Sequence, residues 1–158
     1  MFNTFINDVE YQRLVLNDAV PDENQRKLLI AFLYLTLTYD YEVADISSKV
    51  GIMPSDFSAI FAVGAQGKTP KQLSRLLRLT PSAMTSVIDR LERQGYVFRE
   101  SNPDDRRSIL VRPTLKAFDL VRDAAARLAK VFSAEMSEDD IAAIVKIIHR
   151  FIPEEITI

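Results

Sequence analysis

Arg106 and Arg107 follow directly on Asn102-Pro103-Asp104-Asp105, a run of turn-forming residues, so two guanidinium groups sit just past a reversal of the chain. Guanidinium groups are permanently charged forks of donors that match phosphate oxygens and the negative potential of a narrow groove. Asp105 is close enough in sequence to brace one of them. Upstream, Ser82, Thr85, Ser86, Asp89, Arg90 and Arg93 form a second polar set. Short hydroxylated side chains at the start of a helix let its end approach phosphates and base edges closely. A third set, Lys71, Gln72, Arg75 and Arg78, suits phosphate contact rather than base reading.

These sets need elements to hold them, and the intervening residues supply the signals. Thr80 is suited to cap a helix, Pro81 to occupy its first position, and Gly95 to follow its end in the left-handed conformation. Between them Met84, Val87, Ile88 and Leu91 make an apolar stripe at helical spacing, which leaves the polar set on the other faces. Tyr96-Val97-Phe98 and Ile109-Leu110-Val111 are strand-forming runs on either side of the turn, which predicts an antiparallel hairpin. Thr69 and Pro70 open an earlier helix of about ten residues whose buried stripe is Leu73, Leu76, Leu77 and Leu79, ending before Thr80-Pro81. Helix, short turn, helix and basic hairpin together outline a winged helix-turn-helix. A helix fits the DNA major groove and a basic hairpin reaches the adjacent minor groove, so double-stranded DNA is the expected partner.

The run L-S-R-L-L-R-L-T-P-S-A-M-T-S-V-I-D-R-L-E-R-Q-G-Y-V, followed by N-P-D-D-R-R-S-I-L-V-R-P-T, resembles the MarR (multiple antibiotic resistance regulator) family of bacterial transcription factors over roughly 57–120. The resemblance implies a homodimer built by intertwined terminal helices. It also implies a recognition helix with Ser82, Thr85, Ser86 and Arg90 on its groove-facing side, and a wing in which Arg107 enters the minor groove while Asp105 orients it. Four positions depart from the family pattern: Ser86 stands where a long polar side chain is common, Asn102 replaces the first wing aspartate, Pro113 a leucine and Ala117 a glycine. A serine at position 86 cannot make the bidentate guanine contact of an arginine.

Charge is distributed to match. The chain of 158 residues has 20 basic and 22 acidic side chains; 10 and 5 of these fall between Lys68 and Arg112, leaving 10 and 17 elsewhere. The segment is therefore net +5 and the remainder net −7, an arrangement that favours one docking orientation on a polyanion. The length suits a single core, so the expected organisation is one mainly α (α+β) domain over 1–158. Its parts are N-terminal dimerisation helices over 1–50, a winged helix-turn-helix with a two-stranded β-wing over 54–113, and C-terminal dimerisation helices over 114–158. Pro21-Asp22-Glu23 starts an apolar helix that continues towards Val50. A long helix is predicted from Thr114 to Met136, and another after Ser137, capped with Asp140 and carrying Ile141, Ile144, Val145, Ile148 and Ile152 before Pro153. A palindromic operator with half-sites about one helical turn apart, roughly 34 Å, follows from such a dimer.

Other chemistries find little support. No cysteine is present, which excludes disulfides and thiol sensing, and His149 alone makes neither a metal site nor a catalytic set, so no cofactor and no catalytic activity are expected. Ala62 to Thr69 loosely fits a phosphate-binding loop, but Pro70 disturbs the helix start and no alternating strands and helices follow, leaving a nucleotide hydrolase as a minor alternative. A winged-helix module for protein contacts is the other. The N-terminus has no positive leader, and the apolar run from Leu28 to Leu37 is about ten residues where roughly twenty would be needed to span a bilayer, so a cytoplasmic location without membrane insertion is expected. The resemblance further implies a pocket for a small aromatic ligand that relieves repression; Tyr34, Thr38, Tyr41, Met53 and Phe57 offer flat walls and hydroxyl handles, the competing reading for each being ordinary core.

Overall fold

A computed structural model describes residues 19–20, 22–103, 105, 107–131 and 136–150. Among them are six helices and one two-stranded sheet: α1 (Glu23–Val50), α2 (Pro54–Val63), α3 (Pro70–Leu76), α4 (Pro81–Arg93), β1 (Val97–Ser101), β2 (Ile109–Pro113), α5 (Leu115–Val131) and α6 (Glu138–His149). The chain divides into two compact units, Met1–Glu42 and Val43–Ile158, with the division inside α1.

In the second unit the local signals act as their chemistry dictates. The Thr80 hydroxyl accepts from the Ala83 amide at 3.2 Å with Pro81 behind it, and Gly95 closes α4 at φ 76° while the Tyr96 amide reaches back to the Leu91 carbonyl. At the start of α3, Thr69 and Gln72 cap one another reciprocally. Ser137 and Asp140 do the same at α6, and the hydrogen bonds from Ser137 hold the Asp140 carboxyl below its usual range. Helix α3 is shorter than the sequence suggests. It stops at Leu76 because Thr80, ahead of a proline, must be extended, and the chain leaves the helix through Arg78 at φ 52° to reach that conformation. Helix α5 ends its described span at Val131, and residues 132–135, like Ile152 and Pro153, lie outside the described residues.

The core of this unit is continuous. Val43 and Ile46 of α1, Phe57, Ile60 and Val63 of α2, Leu73 of α3, the Met84, Val87, Ile88 and Leu91 stripe of α4, Tyr96 and Val97 beside Val111 of the hairpin, and Ala117, Leu120 and Ala124 of α5 form one buried cluster. The stripe removes one face of α4 from water and fixes which face remains outside. Strands β1 and β2 pair antiparallel, Val97 opposite Pro113 through Ser101 opposite Ile109. Phe98 is on the outer face, a consequence of strand alternation that a simple aromatic run conceals.

The connector from α2 to α3 adds a short rung to the sheet, with Lys68 and Val111 exchanging both backbone hydrogen bonds. Helix α2, not a strand, precedes it, and the Lys68 ammonium group donates to the Val63 carbonyl at 3.5 Å. That arrangement lacks the strand-to-helix phosphate cradle, so the hydrolase alternative loses its structural basis. Gly67 has φ 72°, and a Cβ added there would lie 2.7 Å from the Val111 carbonyl oxygen. Gly67→Ala is therefore expected to lower the unfolding free energy by about 2 kcal/mol, combining left-handed strain with that overlap. Urea unfolding checks this, and a loss under about 0.5 kcal/mol would contradict it.

Candidate nucleic-acid interface

The face of α4 opposite its buried stripe presents Ser82, Thr85, Ser86, Asp89 and Arg93, all exposed. Short side chains there make a low surface over the first turns of the helix. The Thr85 hydroxyl donates to the Pro81 carbonyl at 2.9 Å and the Ser86 hydroxyl to the Ser82 carbonyl at 3.1 Å. Such back-bonding leaves the oxygen lone pairs facing outward as acceptors. Ser82 and Thr80 share a hydroxyl contact of 3.1 Å.

Arg90 differs from the role suggested by its position in the sequence. Its Nε donates to Asp56 Oδ2 at 2.8 Å and its Nη2 to Asp56 Oδ1 at 2.5 Å, a bidentate pair between α4 and the first turn of α2. The Asp56 side chain is 0% exposed and that of Arg90 30%, and the hydrogen bonds to Asp56 raise the guanidinium pKa above its ordinary value against the opposing effect of burial. The same carboxylate accepts the Met53 amide at 3.4 Å, so Asp56 serves both the α2 terminus and α4. Arg90 is thereby committed inside the fold rather than free to read bases. Sequence reasoning left Asp56 unremarked because an aspartate at the third position of a helix is ordinary capping chemistry; its partner lies 34 residues away.

Several other charges in the basic segment are also internally matched. Arg99 on β1 pairs with Asp89 and Glu92 of α4, fastening the wing to the helix, and Arg112 Nε meets Glu100 Oε1 at 2.6 Å while its Nη1 donates to the Gln66 carbonyl at 2.6 Å. After these pairings, Lys71, Arg75, Arg78, Arg93 and Arg107 have no ion-pair partner among the described residues, and each is exposed. Lys71 and Arg75 are one helical turn apart on α3. The local excess of positive charge is thus concentrated on α3, the turn after it, the outer side of α4 and the wing.

At the wing tip the Asp105 carboxylate accepts the Arg107 backbone N–H at 3.0 Å, and the Asp105 carbonyl accepts the Ser108 amide at 2.9 Å. Asp105 therefore shapes the backbone on which Arg107 stands, rather than gripping its guanidinium. Asn102 closes the base of the tip, its side-chain amide donating to the Ser108 hydroxyl at 2.9 Å. Arg106, the other expected wing cation, lies outside the described residues.

The five residues considered for a ligand fall in both units. Tyr34, Thr38 and Tyr41 line an open recess with Leu37 on α1, where the Thr38 hydroxyl donates to the Tyr34 carbonyl at 2.9 Å. In the second unit Phe57 is 2% exposed within the core, and Met53 is 47% exposed at the start of α2. Periodicity could not distinguish these placements, since each residue lies on an apolar pattern. No cluster of potential metal ligands occurs among the described residues, and no helix there is long and apolar enough to cross a membrane.

Comparison with known proteins bears on this geometry. A family model described as the MarR family matches residues 50–108. The HTH-type transcriptional regulator YhbI of Bacillus subtilis is 32% identical over 116 residues, covering 69% of this chain and 75% of the relative. YcgE of the same organism, also named an HTH-type transcriptional regulator, is 30% identical over 78 residues, 49% of this chain and about half (51%) of its own length. A crystal structure of a mutant MarR from E. coli complexed with operator DNA superposes with a TM-score of 0.62 at 21% identity, covering 88% of this chain and 99% of that one. The last likeness is one of fold.

Proposed function

The chain belongs to the MarR family, and we propose that it is a homodimeric, sequence-specific regulator of transcription that binds double-stranded DNA and acts as a repressor. The observation that carries this reading is the division of labour on α4: one face is fully packed, and the other is a low hydroxylated surface flanked by exposed cations. Ser82, Thr85 and Ser86 would face the major groove, Arg107 would enter the minor groove, and Lys71 and Arg75 would hold the phosphate backbone. Arg90 would act indirectly, by fixing α4 on α2 through Asp56.

A pair of chains is supported by apolar surface that a single chain leaves in water. Helix α6 has no buried residue, and its Ile141, Ile144, Val145, Ile147 and Ile148 are each more than two-fifths exposed. On α1, Phe32 is 60% and Tyr41 62% exposed. Exposed apolar helix faces of this kind suit a partner interface, and a second copy would also set the two reading helices at the spacing of a palindromic operator. The recess at Tyr34, Thr38 and Tyr41 would accept a small aromatic ligand, which would relieve repression only by binding DNA-incompetent and DNA-competent spacings unequally.

A mobility-shift titration with DNA from upstream of the chain's own gene tests the reading. A shifted complex whose affinity falls by about a thousandfold or more between 50 and 200 mM salt is expected from some six to ten phosphate contacts per dimer. Pull-down of a protein with no duplex binding would favour the protein-interaction module instead.

A further inference from the structure

Arg78 occupies a backbone position that arginine is poorly suited to fill. It follows α3 at φ 52°, the one non-glycine residue with positive φ among the described residues. Around it the helix end is satisfied in the manner usually given to glycine: the Leu79 amide donates to the Ser74 carbonyl at 3.0 Å and the Arg78 amide to the Arg75 carbonyl at 3.3 Å. Those bonds use only backbone atoms, so glycine would make them without the steric conflict that a Cβ brings to this conformation.

The side chain makes no ion pair among the described residues that would offset that strain. It is exposed, and Arg75, three positions earlier, carries the same charge. An arginine there carries the backbone strain that a glycine would not. A polyanion changes the balance, because a third cation beside Lys71 and Arg75, two residues ahead of the cap of α4, extends the line of positive charge to the entry of the recognition helix.

We propose that Arg78 is a DNA-phosphate contact, retained at the helix-turn-helix corner at the expense of stability. The proposal rests on the duplex-DNA reading above; beyond the phosphate contact that the sequence suggests for Arg78, it gives this residue effects of opposite sign on folding and on binding. Strain released by Arg78→Gly raises the melting midpoint by about 2–4 °C. The same change weakens duplex binding by about tenfold, equally on cognate and random sequence, and lowers the salt slope by about 2 for the two copies in a dimer. Arg78→Lys keeps the charge and the strain and stays within about threefold of the parent in affinity.

Thermal unfolding and salt-dependent titration of a labelled duplex, carried out on the parent and both variants, decide the matter. A more stable Arg78→Gly protein with weaker, less salt-sensitive binding supports the assignment. If the parent binds and Arg78→Gly binds with equal affinity and slope, or loses binding together with stability, the assignment is overturned while the DNA reading stands; an equal loss in Arg78→Lys overturns it too, by removing charge as the cause. A parent that binds no duplex at low salt is a failure of the DNA reading itself, visible before any variant is compared.

Discussion

Replacing Arg90 with alanine is expected to destabilise the fold by about 3 kcal/mol, the largest stability effect among the changes considered, although the residue is nearly one-third exposed. The reason is Asp56. Its carboxylate has no exposed surface, and the two guanidinium bonds at 2.8 and 2.5 Å are its link to positive charge. Removing the cation leaves a buried carboxylate without its charge partner. The loss belongs at the lower end of the roughly 3–5 kcal/mol seen when one partner of a buried pair is deleted, since water reaches Arg90 from one side. Urea unfolding measures it. The paired change Asp56→Asn with Arg90→Gln keeps an acceptor for the Met53 amide and removes both charges, so it should recover more than half of the loss. A cost below about 1 kcal/mol for Arg90→Ala would mean that the pair contributes no more than an exposed ion pair.

Arg107→Ala is expected to leave stability within about 0.5 kcal/mol of the parent, since the side chain is exposed and unpaired among the described residues. Its effect falls on binding: affinity for a cognate duplex should drop by about 1–3 kcal/mol, roughly 5- to 150-fold, with a smaller drop on random sequence. Minor-groove insertion reads groove width, which varies with sequence, whereas a phosphate contact does not. Competition titrations with both duplexes separate the two, and equal losses would assign Arg107 to the phosphate backbone. Asp105→Ala gives a useful contrast. Because the Asp105 carboxylate holds the Arg107 amide, its removal should loosen the wing tip and weaken cognate binding even though it takes a negative charge away from the wing.

The elements around the interface were legible because their signals are local. Thr80-Pro81 and Gly95 mark the two ends of α4, the spacing of Met84, Val87, Ile88 and Leu91 orients it, and the strand-forming runs around Asn102–Asp105 define the hairpin. What escaped was set by contacts between distant residues or by backbone conformation. Arg90 looks like any polar residue flanking an apolar stripe until Asp56 is placed against it in space. Leu77 and Leu79 continue the periodicity of α3 although the chain has already left the helix at Leu76, because the need for an extended residue before Pro81 prevails over a leucine pattern. Charge counting showed where positive residues are concentrated, but could not show that Arg99 and Arg112 are neutralised by Asp89, Glu92 and Glu100, so the formal excess of that segment is carried by fewer side chains than the sequence suggests. The aromatic residues considered for a ligand share one hydrophobic pattern, and only the fold shows that Phe57 is buried whereas Tyr34, Thr38 and Tyr41 line an open recess.

The most direct measurement is a fluorescence-anisotropy titration of the full chain against two labelled duplexes of equal length and base composition, one taken from upstream of its own gene and one scrambled. Two chains per duplex, steep weakening with salt, and a preference of about a thousandfold or more for the natural sequence are the predicted result. Equal affinity for both duplexes, or no binding to either at low ionic strength, would contradict the assignment of α4 and the wing as a sequence-reading surface.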